Sequence, residues 1–322
     1  MKNNNICYAP VNDCGGFGGN WYWNHRITFL PNGGNGFGLF TIGNSTLATN
    51  KYTFSNNSVI PATNLLSANL YFAGGAGNSQ LGVFNITSST AYLATNVYTY
   101  TTNVVSNGTN LISPYGSSCA TGNSTNGYWI TQGNYYQVYN YSNNTVTQPN
   151  QNIVSYHSGY SATSTSTFGL FNIGAWTMAQ TYTKTQLYTY SSNIITNGTN
   201  LFNGIEGQGA GNAAGNTIVG VFNVGYYSDN GSNVQSKFPL EIYTYASNVV
   251  TNTVSLSNVS GGGNATGNDT VGIFSLGYVT SGNSATNIYE YVNSTIFVGT
   301  KLLGNNTGPS GATSNYNPGV NT

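Results

Sequence analysis

Charge is what this sequence most lacks. Of its 322 residues, six are Lys or Arg and six are Asp or Glu, so 4% are charged and the net charge is zero. An ordinary soluble domain carries about 25%. A nucleic-acid binder needs a basic surface to neutralise phosphates. One arginine, Arg26, and five lysines spread along the chain cannot make one. A sialidase needs a cluster of arginines to hold a carboxylate, and a copper oxidase needs at least two histidine ligands with Tyr and Cys partners. The two histidines, His25 and His157, stand far apart and carry no such pattern. Glycine runs such as Gly261-Gly262-Gly263 are not followed by Lys-Ser/Thr, so they are expected to be inner-strand residues and not phosphate loops. Strong helix formers are scarce over long stretches, and no run approaches the roughly 18–20 apolar residues of a membrane-spanning helix. Residues 1–7 lack the apolar core of a secretory signal, so the expectation is a trimmed signal or, favoured by Met1, a route without secretion. The three cysteines leave two options. Cys7 pairs with Cys14 and Cys119 is left over, or all are free and mostly buried.

Against these absences stand 51 Asn, 42 Gly and 26 Tyr, with 14% aromatic residues. Disorder goes with few aromatics and high net charge, so this composition points to a folded all-β protein. Its solubility must come from amides and hydroxyls.

The sequence repeats. Gly-apolar-aromatic recurs at Gly38-Leu39-Phe40, Gly82-Val83-Phe84, Gly127-Tyr128-Trp129, Gly169-Leu170-Phe171, Gly220-Val221-Phe222 and Gly272-Ile273-Phe274, at spacings of 44, 45, 42, 51 and 52 residues. An aromatic pair follows each time: Tyr52/Phe54, Tyr98/Tyr100, Tyr139/Tyr141, Tyr188/Tyr190, Tyr243/Tyr245 and Tyr289/Tyr291. A closing position comes third, at Leu65, Leu111, Asn152, Leu201, Leu256 and Leu302, always 11 residues after the second aromatic. The constant length predicts a fixed hairpin of two strands with an Asn/Ser-rich turn, such as Ser55-Asn56-Asn57-Ser58. Asn suits such turns because it tolerates left-handed backbone angles. The distance from the leading Gly to the first aromatic varies from 12 to 23 residues, which predicts an open loop. Small-residue stretches between units, such as Ala73–Gly77 and Gly207–Gly211, predict a short inner strand beside a central channel.

Four strands per 42–52 residues is the arithmetic of a propeller blade. The fold class expected is therefore all-β: a six-bladed β-propeller of four-stranded antiparallel blades. The repeat starts inside a blade, so one blade must be completed from the far end. Residues 304–313 resemble residues 257–266, so residues 303–318 are expected to supply the first blade's inner strand and close the ring. The segment 27–34 competes for that slot. Residues 1–36 would form an arm outside the propeller of 37–322.

The repeat, as in residues 169–174 and 187–201, resembles the kelch-like propeller repeats of bacteriophage tail-fibre and virion-appendage proteins. It departs from typical kelch repeats in lacking a consistent Gly-Gly pair after the second strand. Thr131-Gln132 in the third blade marks that blade as the place to expect irregularity. The resemblance implies a non-enzymatic virion protein engaging a host surface or other virion proteins. The alternative is a secreted or cell-surface carbohydrate-binding propeller.

The residues themselves suggest where contact would occur. The longest variable loop, between Gly225 and Leu240, holds Tyr226, Tyr227, Asp229 and Asn230. The preceding blade offers Trp176. Aromatic rings stack on sugar C–H faces while amides pair with hydroxyls, although ordinary solvent-facing loop aromatics would read the same way. In the arm, Trp21, Tyr22, Trp23 and Arg26 are the candidate docking residues, with other virion proteins as partners. No cofactor, metal, nucleic-acid or membrane partner is expected. No acid recurs at a fixed repeat position. A paired-carboxylate hydrolase would have to use residues such as Asp229 and Glu241.

Overall fold

The structure, a computed structural model, describes residues 33–42, 46–67, 74–86, 93–112, 119–131, 135–149, 161–172, 183–202, 211–223, 239–257, 263–277, 284–304 and 311–316. All belong to one compact unit, Pro31–Thr322. They form a six-bladed β-propeller. The first blade contains β1 (Phe37–Thr41), β2 (Thr49–Thr53) and β3 (Ser58–Ala62). The second is β4 (Gly75–Gly77), β5 (Leu81–Asn85), β6 (Thr95–Thr99) and β7 (Val104–Asn107). The third is β8 (Cys119–Gly122), β9 (Asn126–Thr131), β10 (Tyr135–Asn140) and β11 (Thr145–Thr147). The fourth is β12 (Ser161–Ser164), β13 (Phe168–Asn172), β14 (Thr185–Thr189) and β15 (Ile194–Asn197). The fifth is β16 (Asn212–Gly215), β17 (Val219–Asn223), β18 (Pro239–Thr244) and β19 (Val249–Ser255). The sixth is β20 (Ala265–Gly267), β21 (Val271–Ser275), β22 (Thr286–Glu290) and β23 (Thr295–Gly299). The last strand, β24 (Ala312–Ser314), pairs antiparallel with β1 through Gly38–Ser314, Leu39–Thr313 and Phe40–Ala312. The first sheet thus reads β24-β1-β2-β3, and the inner strands β24, β4, β8, β12, β16 and β20 adjoin in a closed cycle. The C-terminal strand fills the inner slot of the first blade.

The repeated residues explain why each blade forms. The apolar-aromatic pair of every second strand is buried, from Leu39 and Phe40 round to Ile273 and Phe274. The leading Gly is required by the neighbouring blade. A methyl at Gly38, Gly82, Gly169 or Gly220 would collide with the methyl of Thr266, Thr313, Thr121 or Thr163 on the preceding blade's inner strand. The third blade differs in a compensated way. Its preceding blade offers Ala76 at that place, and the ring of Trp129 fills the space over Gly127 where the other blades carry Phe.

The outer hairpins turn on one residue each, Asn57, Asn103, Asn144, Asn193, Asn248 and Ser294, all with φ between 52° and 56°. Asn is among the few residues that visit the left-handed region readily. Its side chain does a second job: Asn57, Asn144, Asn193 and Asn248 accept hydrogen bonds from the hydroxyls of Tyr52, Tyr139, Tyr188 and Tyr243, the first members of the aromatic pairs. The same asparagines join blades. Thr300 N donates to Asn57 Oδ1 at 3.0 Å, Thr109 N to Asn144 Oδ1 at 2.9 Å and Thr199 N to Asn248 Oδ1 at 3.1 Å. Thr63 Oγ1 donates to the Asn103 carbonyl at 2.6 Å. Each of these threonines lies two residues before a closing leucine.

Inner hairpins use Asn differently. Asn78, Asn123, Asn216 and Asn268 each accept two backbone N–H bonds within their own turn through Oδ1. Such side-chain turns replace a backbone turn hydrogen bond. Three of these asparagines then reach sideways through Nδ2, Asn78 to the Ser124 carbonyl, Asn216 to that of Asp269 and Asn268 to those of Gly33 and Asn35.

Two expectations are corrected. The inner strand of the fifth blade is Asn212–Gly215, C-terminal to the Gly207–Gly211 run, and that of the sixth is Ala265–Gly267, C-terminal to Gly261–Gly263. The inner strand needs Ala and Thr side chains, whose methyls cover the neighbouring blade's glycine, so the glycine runs precede it. The third blade keeps an unbroken register between β9 and β10, and the shift falls instead in the fifth, between Pro239 and Glu241. Proline has no N–H for a ladder and is confined to strand starts, edges and bulges.

Candidate binding face and channel

The strand order gives the ring two unlike faces. On one lie the turns after the inner strands and the outer hairpin turns, all short. At the other, the second-to-third-strand connections and the links to the next blade leave and rejoin the strands. That face carries all the length variation. A recurrent residue decorates it: Leu66, Ile112, Phe202 and Leu303, each directly after a closing leucine and about half exposed. Their N–H groups donate to buried side chains of the next blade, Asn96, Gln137, Glu241 and Asn50, at 2.5–2.9 Å. The backbone of these apolar residues is therefore fixed while their side chains face solvent.

Glu241 belongs to this series. It is fully buried, and its Oε2 accepts the Phe202 N–H at 2.7 Å. Equivalent positions in other blades hold Asn50, Asn96, Gln137, Gln186 and Asn287. Glu241 thus works in a framework joint between the fourth and fifth blades, which corrects its reading as a candidate for carboxylate catalysis. Trp176, Tyr226, Tyr227, Asp229 and Asn230 lie outside the described residues. By chain position Trp176 belongs to the β13–β14 connection and the other four to the β17–β18 connection. Trp21, Tyr22, Trp23 and Arg26, with Cys7, Cys14, His25 and His157, also lie outside them. Cys119 is a buried free thiol whose pKa is pushed up by burial.

A channel runs along the ring axis. Gly75, Ala120, Ala162, Ala213, Ala265 and Ala312 form its waist, lining the cavities at both ends. The short-turn end is a cavity of about 100 Å³ lined by Thr121, Thr163, Thr266, Thr313, Ser314 and Tyr316 among others. Beside it the Tyr316 hydroxyl donates to the Asp269 carboxylate, whose pKa is raised by burial. The variable-face end holds about 70 Å³ and is lined by Cys119, Ser161, Asn212 and Asn264 with glycines and the waist residues. Among the described residues no group of three His, Cys, Asp or Glu side chains could hold a metal ion. No described helix is long and apolar enough to cross a membrane.

Both ends of the described chain lie on the short-turn side. Asn268 Nδ2 holds the carbonyls of Gly33 and Asn35, Phe54 N donates to the Gly36 carbonyl, and Asn315 N donates to that of Phe37. The ends of the described chain, Gly33 and Tyr316, are therefore held on the face opposite the variable connections. No protein-family model matches this chain, and no curated protein matches it.

The recurrence of the exposed apolar residue was missed by sequence reasoning. Its signal was present: Leu65-Leu66, Leu111-Ile112, Leu201-Phe202 and Leu302-Leu303 each place a second apolar residue after the closing leucine.

Proposed function

We propose that this protein is a non-enzymatic attachment propeller of a virion, a tail fibre or surface appendage. The variable face makes contact, and the arm expected over residues 1–36, whose Gly33–Gly36 end is held by the ring, docks it to other virion proteins through residues 1–32. The observation that carries the reading is the separation of roles between the two faces. Variable-length connections and half-exposed apolar side chains share one face, and the chain ends attach at the other. Loops on a rigid scaffold are where binding residues concentrate. The virion setting rests on the kelch-like repeat resemblance. The kelch-like repeat is compatible with the six-bladed ring described above.

Removing residues 1–32, which stops short of the anchored Gly33, tests the docking role. The truncated protein should stay folded and soluble and fail to enter particles. Normal incorporation would contradict the role given to the arm. A secreted or cell-surface carbohydrate-binding propeller is the second reading, favoured by the polar mouth of the channel.

A further inference from the structure

A propeller leaves one backbone edge open on each blade, that of its outer strand, and an open edge invites a further strand. Most of the outer strands here are blunted. β3 carries Pro61, which has no N–H to offer, at the place that matches Val298 of β23. β7, β11 and β15 are only three or four residues long. The β18–β19 ladder is interrupted by the register shift between Pro239 and Glu241. β23 has none of these devices. It pairs with β22 in unbroken register over five residues, Thr-Ile-Phe-Val-Gly, with no proline and no charge, and it ends its sheet. The two most exposed large apolar side chains among the described residues, Val292 and Val298 at 84% and 68%, lie on this one hairpin.

The ladder fixes which groups face out. An antiparallel pair turns the N–H and C=O of alternate residues inward and outward. In the second and fourth blades the residues matching Gly299 are Gly108 and Gly198, and they donate inward to the carbonyls of Thr95 and Thr185 at 2.9 and 3.0 Å. Thr295, Phe297 and Gly299 therefore bond to β22, while Ile296 and Val298 present their peptide groups at the rim.

We propose that this edge joins the ring to a second copy of itself. The two β23 strands pair antiparallel about a two-fold axis beside Phe297, and two blades become one continuous sheet. Ile296 of each copy then exchanges both backbone hydrogen bonds with Val298 of the other. Phe297 falls opposite its counterpart in a non-hydrogen-bonded pair, the close arrangement that favours aromatic pairs. Charge selects the second copy as occupant. Two of the twelve charged residues flank this strand with opposite sign. Glu290 Oε2 accepts from Asn293 Nδ2 at 2.8 Å and from Thr295 Oγ1 at 3.1 Å. In the register centred on Phe297, the exposed Lys301 of one copy lies opposite Asn293 of the other, beside that Glu290. The two-fold axis makes this match at both ends, and such pairs fix register more than they add affinity. The strand between them is neutral, so nothing along it repels a second copy. The pairing goes beyond the attachment reading and does not depend on it.

Sedimentation equilibrium of the full chain tests the pairing. The mass should rise with concentration from 34.0 kDa to twice that. The midpoint should fall at about 1–100 µM, as suits a small interface. Val298→Lys sets a charge on the edge, and at 68% exposure the new side chain needs no space inside the ring. It should weaken association at least about tenfold, with a thermal melt like that of the parent. Lys301→Glu should weaken association about three- to tenfold, and adding Glu290→Lys should restore it. Three results would overturn the proposal: a monomer at every concentration up to about 200 µM, a dimer untouched by Val298→Lys, or a Lys301→Glu loss that Glu290→Lys leaves unrestored. A dimer of a protein absent from particles sinks the attachment reading alone, and a monomer present in particles sinks this pairing alone.

Discussion

At the residue scale the fold is a set of jobs given to asparagine. One asparagine takes the left-handed turn, accepts a tyrosine hydroxyl and joins the preceding blade. Asn248 does all three, through Tyr243 and Thr199. Asn248→Ala should therefore cost about 2–3 kcal/mol in denaturant unfolding, and Asn248→Gly, which keeps the turn angle, about 1 kcal/mol. The sixth blade offers the reverse experiment. Ser294 holds the same angle, and the Tyr289 hydroxyl beside that hairpin has no partner. Ser294→Asn should gain about 1 kcal/mol; a loss of stability would contradict the role given to this position. The turn asparagines could be read from the sequence, because a constant 11-residue spacing with an Asn/Ser-rich stretch just after the second aromatic requires a tight turn. Their bonds to tyrosine could not, because spacing says nothing of which side chains meet across a turn.

At the element scale the blades interlock through the inner strand. The residue after the waist position (Thr121, Thr163, Ala214, Thr266 and Thr313) touches the leading Gly of the following blade, and where it is Thr the second tyrosine of that blade can bond it. Tyr100 meets Thr313 and Tyr245 meets Thr163, both at 3.2 Å. Tyr190 lies near Thr121 and Ser164 without a hydrogen bond of ordinary geometry. Tyr141 and Tyr291 follow blades with Ala76 and Ala214, and their hydroxyls have no partner. Ala214→Thr should stabilise the ring by about 1 kcal/mol by supplying Tyr291 with one. Ala76→Thr should destabilise it, because Trp129 occupies that space, and adding Trp129→Phe should recover much of the loss. Additive effects in this double-mutant cycle would contradict the coupling. Blade number, strand number and C-terminal closure were legible in the repeat. The start of the inner strands was not, because glycine runs and alternating Ala/Thr read alike until the neighbouring blade is in view.

At the scale of the whole molecule, scarce charge and abundant buried tyrosine set the response to pH. Burial raises Tyr52 from 10.0 to about 12, and Tyr136, Tyr141, Tyr190 and Tyr291 are raised further or in the same direction. The unfolded chain releases these protons near pH 10 while the folded ring still holds them. Their contribution is fully present below about pH 10 and is lost as pH rises through the folded values. Unfolding followed by circular dichroism should coincide with tyrosine ionisation followed by absorbance, both above about pH 10. Tyrosine ionisation at its ordinary pH with the ring intact would contradict the burial. Neutral contact should also be insensitive to salt. Attachment should change less than about twofold between low and high ionic strength, where a charged interface would weaken steeply. The candidate contact residues were the least legible part of the site. Trp176, Tyr226, Tyr227, Asp229 and Asn230 lie in loops whose lengths differ between blades, so no repeat constrains their reading. The central claim is that this ring is a virion component, and mass spectrometry of purified particles from the source encoding it tests that most directly. The account predicts its peptides in the particles at levels comparable to other structural proteins. Their absence from particles, with the protein present in the surrounding lysate, would contradict it.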